Sequence, residues 1–262
     1  MNNYKEKYGE WALITGASSG IGEEFARRLA QQGMNIILVA RRRNLLSKLA
    51  LEIKQNFKVK TLIVCLDLTK DESYLKLFDK VGDREIGLLI NNAGFGSIGQ
   101  FDKIDTEHEM SMVKLNCVAP TVITHYFVEP MIERKKGAII FLGSVAGFYP
   151  VPFMTTYAAT KVFNSYLGIA LWFELKKHNI DVLSLNPGGT TTGFQRIAKT
   201  TTGPFVRTPH EVVTTALKSL GKRHSVIDGF PNKIMVGFSK IVPSKLLVTI
   251  TGNLSQRLYK QK

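Results

Sequence analysis

Short unbroken apolar runs alternate along this chain with stretches in which apolar residues recur every three or four positions. The runs are Trp11–Thr15, Asn35–Ala40, Thr61–Leu66, Ile86–Ile90, Gly137–Gly143 and Ile180–Leu185. Continuous apolar runs of this length are typical of parallel strands buried on both faces. Between them, Glu23–Gln32 carries Phe25, Ala26, Leu29 and Ala30 at helical spacing, and Asn44–Phe57 carries Leu45, Leu46, Leu49 and Ile53. Two longer helices are predicted from Thr106 to about Glu129 and from Thr156 to Lys177, with a short edge strand at Ser225–Ile227. Thr69 with Glu72, Thr106 with Glu109, and Thr208-Pro209 with Glu211 read as capping boxes at helix starts. Strand–helix alternation over this length predicts an α/β fold: one Rossmann-like, doubly wound parallel sheet with helices on both faces and right-handed crossovers. No repeat or linker divides it, so residues 1–262 read as a single domain.

Composition narrows the class. A 262-residue chain with 44% hydrophobic and 21% charged residues is long enough for one large core and is neither disordered nor fibrous. Its two cysteines, Cys65 and Cys117, sit in apolar surroundings and read as buried thiols, with no disulfide framework or zinc site. No apolar run reaches membrane-spanning length, and the polar start from Met1 to Glu10 lacks the pattern of a signal peptide, so a cytoplasmic protein is expected. The formal charge of +14 suits an acidic ligand, an acidic partner or an anionic lipid surface. Without a zinc finger, a helix-turn-helix or an aromatic-basic strand pattern, specific nucleic-acid binding is not expected.

The first half of the chain carries the marks of a dinucleotide site. Strand, glycine-rich turn and helix follow one another at Trp11–Gln32, with Gly16, Ser18, Ser19, Gly20, Ile21 and Gly22 in the turn. Glycines allow the backbone to approach a pyrophosphate, and the amides of the helix start bind it. The second strand ends in Arg41-Arg42-Arg43, where an acidic residue would hold the ribose hydroxyls of NAD and an arginine suits the additional phosphate of NADP. NADP is therefore expected, through Arg41 or Arg42. Asp67-Leu68 closes the third strand, where the carboxylate fits either an adenine amine or a cap of the next turn. Asn91-Asn92-Ala93-Gly94 closes the fourth with small and amide residues suited to close packing beside a cofactor.

The second half carries candidate reactive groups. The fifth strand delivers Ser144 at its carboxyl end, the active side of an open parallel sheet. Tyr157 and Lys161 stand four apart on the following helix and share one face, so the ammonium is expected to favour the phenolate and lower the phenol pKa. Asn116 lies mid-helix among Val113, Cys117 and Pro120, which predicts a perturbed, partly buried turn. Residues 194–209 form a candidate substrate lid. Residues 230–262 form a tail with no acidic residue, its lysines and arginine interleaved with apolar side chains. That tail fits docking on a subunit or on the core, and it also fits an anionic membrane surface.

Taken in order, the glycine turn at 15–22, Asn91-Asn92-Ala93-Gly94, Asn116, Ser144, Tyr157-x-x-x-Lys161 and Pro187-Gly188 with Thr192 resemble the short-chain dehydrogenase/reductase family over Trp11 to Ile227. The resemblance implies that Gly16, Gly20 and Gly22 form the pyrophosphate turn and that Asp67 and Leu68 lie at the adenine. Asn92, Ala93 and Gly94 would flank the cofactor, and Pro187, Gly188, Thr190 and Thr192 its nicotinamide side. It implies Tyr157 as the acid or base, Lys161 stabilising its phenolate and holding the ribose, Ser144 binding the carbonyl oxygen, and Asn116 holding a water. Many relatives are homodimers or homotetramers built on the two long helices. The apolar loop at 145–156, with Phe95, Phe194 and Phe205, suits a lipophilic ketone or aldehyde reduced by NADPH. A β-ketoacyl group on an acidic acyl carrier protein is the alternative substrate, and a non-catalytic NADP-binding scaffold the alternative role.

Overall fold

The computed structural model describes residues 4–192 and 206–260, with side chains through 256. Seven parallel strands form one sheet: β1 (Trp11–Thr15), β2 (Asn35–Ala40), β3 (Thr61–Cys65), β4 (Ile86–Asn91), β5 (Gly137–Leu142), β6 (Ile180–Asn186) and β7 (Ser225–Ile227). Their spatial order is β3-β2-β1-β4-β5-β6-β7, so the winding reverses between β1 and β4. In such a sheet ligands bind outside the carboxyl ends of the strands beside that reversal.

Alternate strand residues feed the two faces, as the period of a strand requires. Ala12, Ile14, Ile36, Leu38, Ile90 and Ile140 pack on one side against Phe25 and Leu29 of α2 (Gly20–Gln31), Leu46 and Ile53 of α3 (Arg43–Phe57) and Val213 of α8 (Pro209–Ser219). Leu13, Ile37, Val39, Leu89, Ile139 and Phe141 pack on the other side. They meet Leu77 of α4 (Glu72–Val81), Ile123 and Phe127 of α6 (Ala119–Glu133) and Leu175 of α7 (Thr155–Lys176). Helix α5 (Thr106–Val113) precedes α6, and α9 (Phe230–Ser239) and α10 (Ser244–Lys260) end the chain. A short α1 (Tyr4–Tyr8), without a counterpart among the elements predicted above, buries both its tyrosines, and Tyr4 donates to Leu217 O at 2.7 Å.

Two of the three capping boxes are replaced. The cap of α5 is Asp105, which accepts from His108 N, while Glu109 accepts from Ser97 Oγ at 2.6 Å. Ahead of α4, Thr69 donates to Asp67 Oδ1 and the helix starts at Asp71 without a side-chain cap. Asp67 Oδ1 also takes the Thr69 N–H that the Glu72 carboxylate would have accepted from, an Asx-type turn. The third box, Thr208 with Glu211 and Pro209 at the first helical position, forms as read. The long helix from Thr106 is not continuous: Lys114–Val118 forms a π-turn between α5 and α6. Cys65 and Cys117 are half-buried rather than buried, and burial pushes the Cys117 thiol up to about 11.

The candidate lid lies outside the described residues except for 206–209. At its far end Arg207 is tied down twice. Its backbone bridges Gly189 O and Thr191 N, and its guanidinium grips the fully buried Asp228 through Nε at 3.0 Å and Nη2 at 3.2 Å. Thr215 Oγ1 donates to the same carboxylate at 2.6 Å. Removing the cation leaves a buried carboxylate held by one hydroxyl, so Arg207→Ala is expected to lower the unfolding free energy by about 3 kcal/mol in urea denaturation. An unchanged midpoint and slope would show that water replaces the guanidinium without cost.

Candidate active site

The glycine turn is shaped by what presses on it. Gly16 and Gly20 have φ of +67° and +63°, a region that L side chains rarely adopt. A Cβ on Gly16 would stand 2.7 Å from Asn92 Nδ2, one on Gly22 2.5 Å from the same atom, and one on Gly20 2.8 Å from Thr192 Cγ2. Asn92 therefore fills the space that the glycines leave, donating to Thr15 O at 2.8 Å. Thr15 Oγ1 in turn accepts from Asn92 N and Ala93 N, each at 3.0 Å. Ser19, the N-cap of α2, makes no side-chain cap bond, so the first amides of this 12-residue helix keep their donors for an anion. Ile21 packs on the core beneath them. This turn fits a pyrophosphate.

Around the expected ribose phosphate, the two arginines separate. Arg42 folds over the turn, donating to Ser18 Oγ at 2.7 Å and Ser19 Oγ at 2.7 Å. Arg41 is exposed and leans toward Asp67 at 3.7 Å. Burial alone would raise the Asp67 carboxyl, but hydrogen bonds from Thr69 and the Arg41 charge hold it below the usual range. Leu68 is buried beside it.

Ser144, Tyr157, Lys161 and Asn116 come together at the ends of β4 and β5. Ser144 caps the turn Val145–Gly147, accepting from Ala146 N at 3.2 Å and donating to Pro187 O at 3.4 Å. Its side chain also hydrogen-bonds that of Tyr157. Lys161 Nζ donates to Leu142 O at 2.9 Å and lies 5.7 Å from the Tyr157 ring centroid. Gly94 makes room there, since a Cβ on it would stand 2.9 Å from Asn116 Oδ1 and 3.6 Å from Lys161 Nζ.

Burial, more than the neighbouring ammonium, sets the protonation of this pair. It pushes the Tyr157 phenol up to about 12, opposed by the Ser144 hydrogen bond, and lowers Lys161 to about 8. This reverses the expectation that Lys161 depresses the phenol. Burial disfavours the charged form of each group, and the Ser144 hydrogen bond offsets only part of that cost at the phenol. At neutral pH the phenol is protonated and ready to donate.

Asn116 sits in the π-turn, buried, with its amide fully engaged: Nδ2 donates to Phe95 O and Thr160 Oγ1, and Oδ1 accepts from Phe95 N. Its main-chain carbonyl accepts from Asn164 Nδ2 at 2.7 Å. A π-turn widens the helix and frees carbonyls from the regular ladder, which is how this one becomes available to Asn164. The sequence reading missed Asn164, although it lies three residues after Lys161 on the same face of an otherwise apolar helix. It also missed Asn186, which accepts from Ser165 Oγ at 2.7 Å and ties β6 to α7.

Pro187 to Thr192 closes the site opposite the glycine turn. Gly188 abuts Asn232, Thr190 donates to Gly188 O at 3.1 Å, and Thr192 touches Gly20. A hollow of about 460 Å³ opens here among Gly20, Glu23, Thr191, Thr192, Thr208 and His210. A larger one of about 830 Å³ lies at the amino ends of the strands among Glu10, Lys54, Thr61 and Arg84, across the sheet from Tyr157. Chemistry, rather than volume, locates the site.

The model of the short chain dehydrogenase family matches residues 10–202, the span that supplies the turn, Asn116, Ser144, Tyr157 and Lys161. The chain belongs to this family. As a short-chain dehydrogenase it is an NAD(P)-dependent oxidoreductase. A very-long-chain 3-oxoacyl-CoA reductase of Macaca fascicularis is 32% identical over 257 residues, 95% of this chain and 80% of the relative. Hydroxysteroid dehydrogenase-like protein 1 of Gallus gallus is 32% identical, covering 82% of this chain and 67% of its own. Among solved structures, a 7beta-hydroxysteroid dehydrogenase superposes with a TM-score of 0.89 at 29% identity, covering 95% of this chain and 99% of that one. A short-chain dehydrogenase from Sphingobium yanoikuyae in complex with NADPH gives 0.79 at 30% identity, covering 89% and 96%.

Lys161 carries its charge below about pH 8 and loses it above. The kcat/KM for carbonyl reduction is accordingly expected to fall as pH rises through that value. Lys161→Met should remove this limb from the pH–rate profile and lower the rate roughly 100-fold or more. A wild-type profile that stays flat to pH 10 would assign the charge no part in turnover.

Proposed function

We propose that the protein is an NADPH-dependent reductase of lipophilic ketones or aldehydes, with Tyr157 as the proton donor. The observation that carries this reading is the convergence of buried Ser144, Tyr157 and Lys161, whose Nζ lies 5.7 Å from the Tyr157 ring centroid, at the carboxyl ends of β5 and β4. NADPH, when bound, supplies the hydride to the carbonyl carbon. Ser144 Oγ and Tyr157 Oη hold the carbonyl oxygen, and Tyr157 passes its proton to that oxygen as the carbon is reduced. The phenolate left behind is stabilised by Lys161, which would also hold the nicotinamide ribose of a bound NADPH. Asn116 fixes the strand-end segment 94–95 against α7 and keeps Lys161 in line.

Arg42 favours NADPH over NADH, because its guanidinium and the Ser18 and Ser19 hydroxyls converge where the ribose phosphate would lie. Arg41, paired with Asp67, shields the adenine side. The very-long-chain 3-oxoacyl-CoA reductases among the relatives favour a long-chain 3-oxoacyl thioester as substrate, and the positive charge of the chain suits the phosphates of such a carrier. The aromatic and proline residues at 148–154 suit its apolar chain. A homodimer through α6 and α7 is favoured by exposed Tyr126, Tyr166 and Phe173 on those helices.

Tyr157→Phe is expected to abolish turnover while NADPH binding, followed by nucleotide fluorescence, persists; near-normal turnover would refute the assignment. Arg42→Ala should narrow the NADPH-over-NADH ratio of kcat/KM by about tenfold or more, the worth of a charge-assisted phosphate contact. An unaltered ratio would move the phosphate contact to Arg41.

A further inference from the structure

The last two helices turn their larger apolar stripes outward. Along α9 the buried positions are Asn232, Val236 and Ser239; along α10 they are Leu247 and Ser255, with Val248, Thr251 and Gly252 half-buried. Three of the five buried positions are polar. Asn232 donates locally to Asp228 O at 2.7 Å and packs on Gly188, while Thr251 donates across the fold to Pro150 O at 3.0 Å. The solvent-facing stripes are the apolar ones: Phe230, Ile234 and Phe238 on α9, and Leu246, Ile250 and Leu254 on α10, each at i, i+4 and i+8. Ile241, between the helices, is 78% exposed. A soluble helix ordinarily shows the opposite arrangement, with its apolar stripe against the core. The core-docking expected of the tail is thus made by a mixed face, with Val236 and Leu247 among polar residues, and its larger apolar stripes are left to something else.

Charge says what that is. Lys233, Lys240 and Lys245 are exposed among these stripes, and from Gly229 to Lys262 there is no acidic residue. Arg257, Lys260 and Lys262 extend the basic run in sequence. A two-fold contact between two such faces would set lysines against lysines, which disfavours a second copy as the occupant. Among the described residues no helix is long and apolar enough to cross a membrane. A basic helix pair with an apolar outer stripe instead suits lying in the interface of an anionic bilayer, side chains in the acyl boundary and lysines among the headgroups.

We propose that α9 and α10 dock the protein on an anionic lipid surface through Phe230, Ile234, Phe238, Ile241, Leu246 and Ile250, with Lys233, Lys240 and Lys245 engaging the headgroups. The same helices touch the segment that joins Ser144 to Tyr157, through Thr251 on Pro150 and through Tyr149 Oη against Met235 Sδ at 3.4 Å. Docking therefore brings the substrate loop to the lipid boundary. That last consequence rests on the lipophilic-substrate reading above, whereas lipid binding itself does not.

Flotation of the full-length protein with vesicles tests the docking. With about 30% phosphatidylserine in phosphatidylcholine, binding is expected, and pure phosphatidylcholine should bind at least tenfold more weakly. Raising NaCl from about 50 to about 500 mM should release most of the protein. Lys233→Gln/Lys240→Gln/Lys245→Gln is expected to weaken binding on the order of 100-fold, from the typical contribution of each lysine near such a surface. Phe238→Ser/Ile250→Ser should weaken it about tenfold or more through lost apolar burial. All these side chains are exposed, so thermal midpoint and NADPH binding should stay at wild-type values, which separates this outcome from loss of fold or of the reductase site. Absence of wild-type binding to anionic vesicles, or binding equal in wild type and both variants, overturns the proposal. So does a variant that leaves vesicle binding intact but converts a dimer to a monomer by light scattering, which would give the face to a second copy.

Discussion

The contact between Thr15 and Asn92 holds this molecule's two halves in register. β1 and β4 are neighbours in the sheet but lie on either side of the point where its winding reverses. At their carboxyl ends Thr15 Oγ1 accepts two amides of the 92–93 segment, and Asn92 Nδ2 returns a bond to Thr15 O. The side chain that makes this clasp occupies the space a Cβ on Gly16 or Gly22 would need. One asparagine thus shapes the glycine turn and fixes the segment leading to Gly94. The glycines are required as much by Asn92 as by any ligand.

Beside the segment leading to Gly94, polar groups are buried in a chain of hydrogen bonds that leaves Asn164 Oδ1 without a partner among the described residues. Asn116 joins the 95 backbone to Thr160, Asn164 joins Asn116 O to α7, Lys161 takes Leu142 O, and Ser165 takes Asn186. Burying so much polarity is costly unless each group is paired, and paired groups hold one geometry. The result is a hydrogen-bonded platform under Tyr157, whose phenol stays protonated because burial disfavours its charged form. Function and packing share the same hydrogen bonds here.

Much of the fold was legible because buried parallel strands and amphipathic helices write different periods into a chain. The strands emerged where the apolar runs placed them, and Ser144, Tyr157 and Lys161 sit where strand-end and helix-face arguments put them. What was not legible depended on competition between near neighbours. Thr69 had Asp67 closer than Glu72, Asp105 stood one residue ahead of Thr106, and the π-turn at Lys114–Val118 widened a helix whose sequence signs were only Asn116 and Pro120. Helix α1 was invisible because five residues carry no usable period, and its two tyrosines are held by residues far along the chain, Tyr4 by Leu217 and Tyr8 by Asp181.

By itself the sequence determined the layer order, the glycine turn, the identity of the reactive side chains and the basic, apolar character of the tail, since each of these is a local pattern of residue types. Tertiary structure decided which arginine lies over Ser18 and Ser19, which way burial moves the Tyr157 phenol, and that the tail's larger apolar stripes turn outward. Those outcomes depend on competition for a few hydrogen-bond acceptors and for removal from water between groups far apart in the chain. Spacing along a sequence does not contain that competition; the packed molecule resolves it.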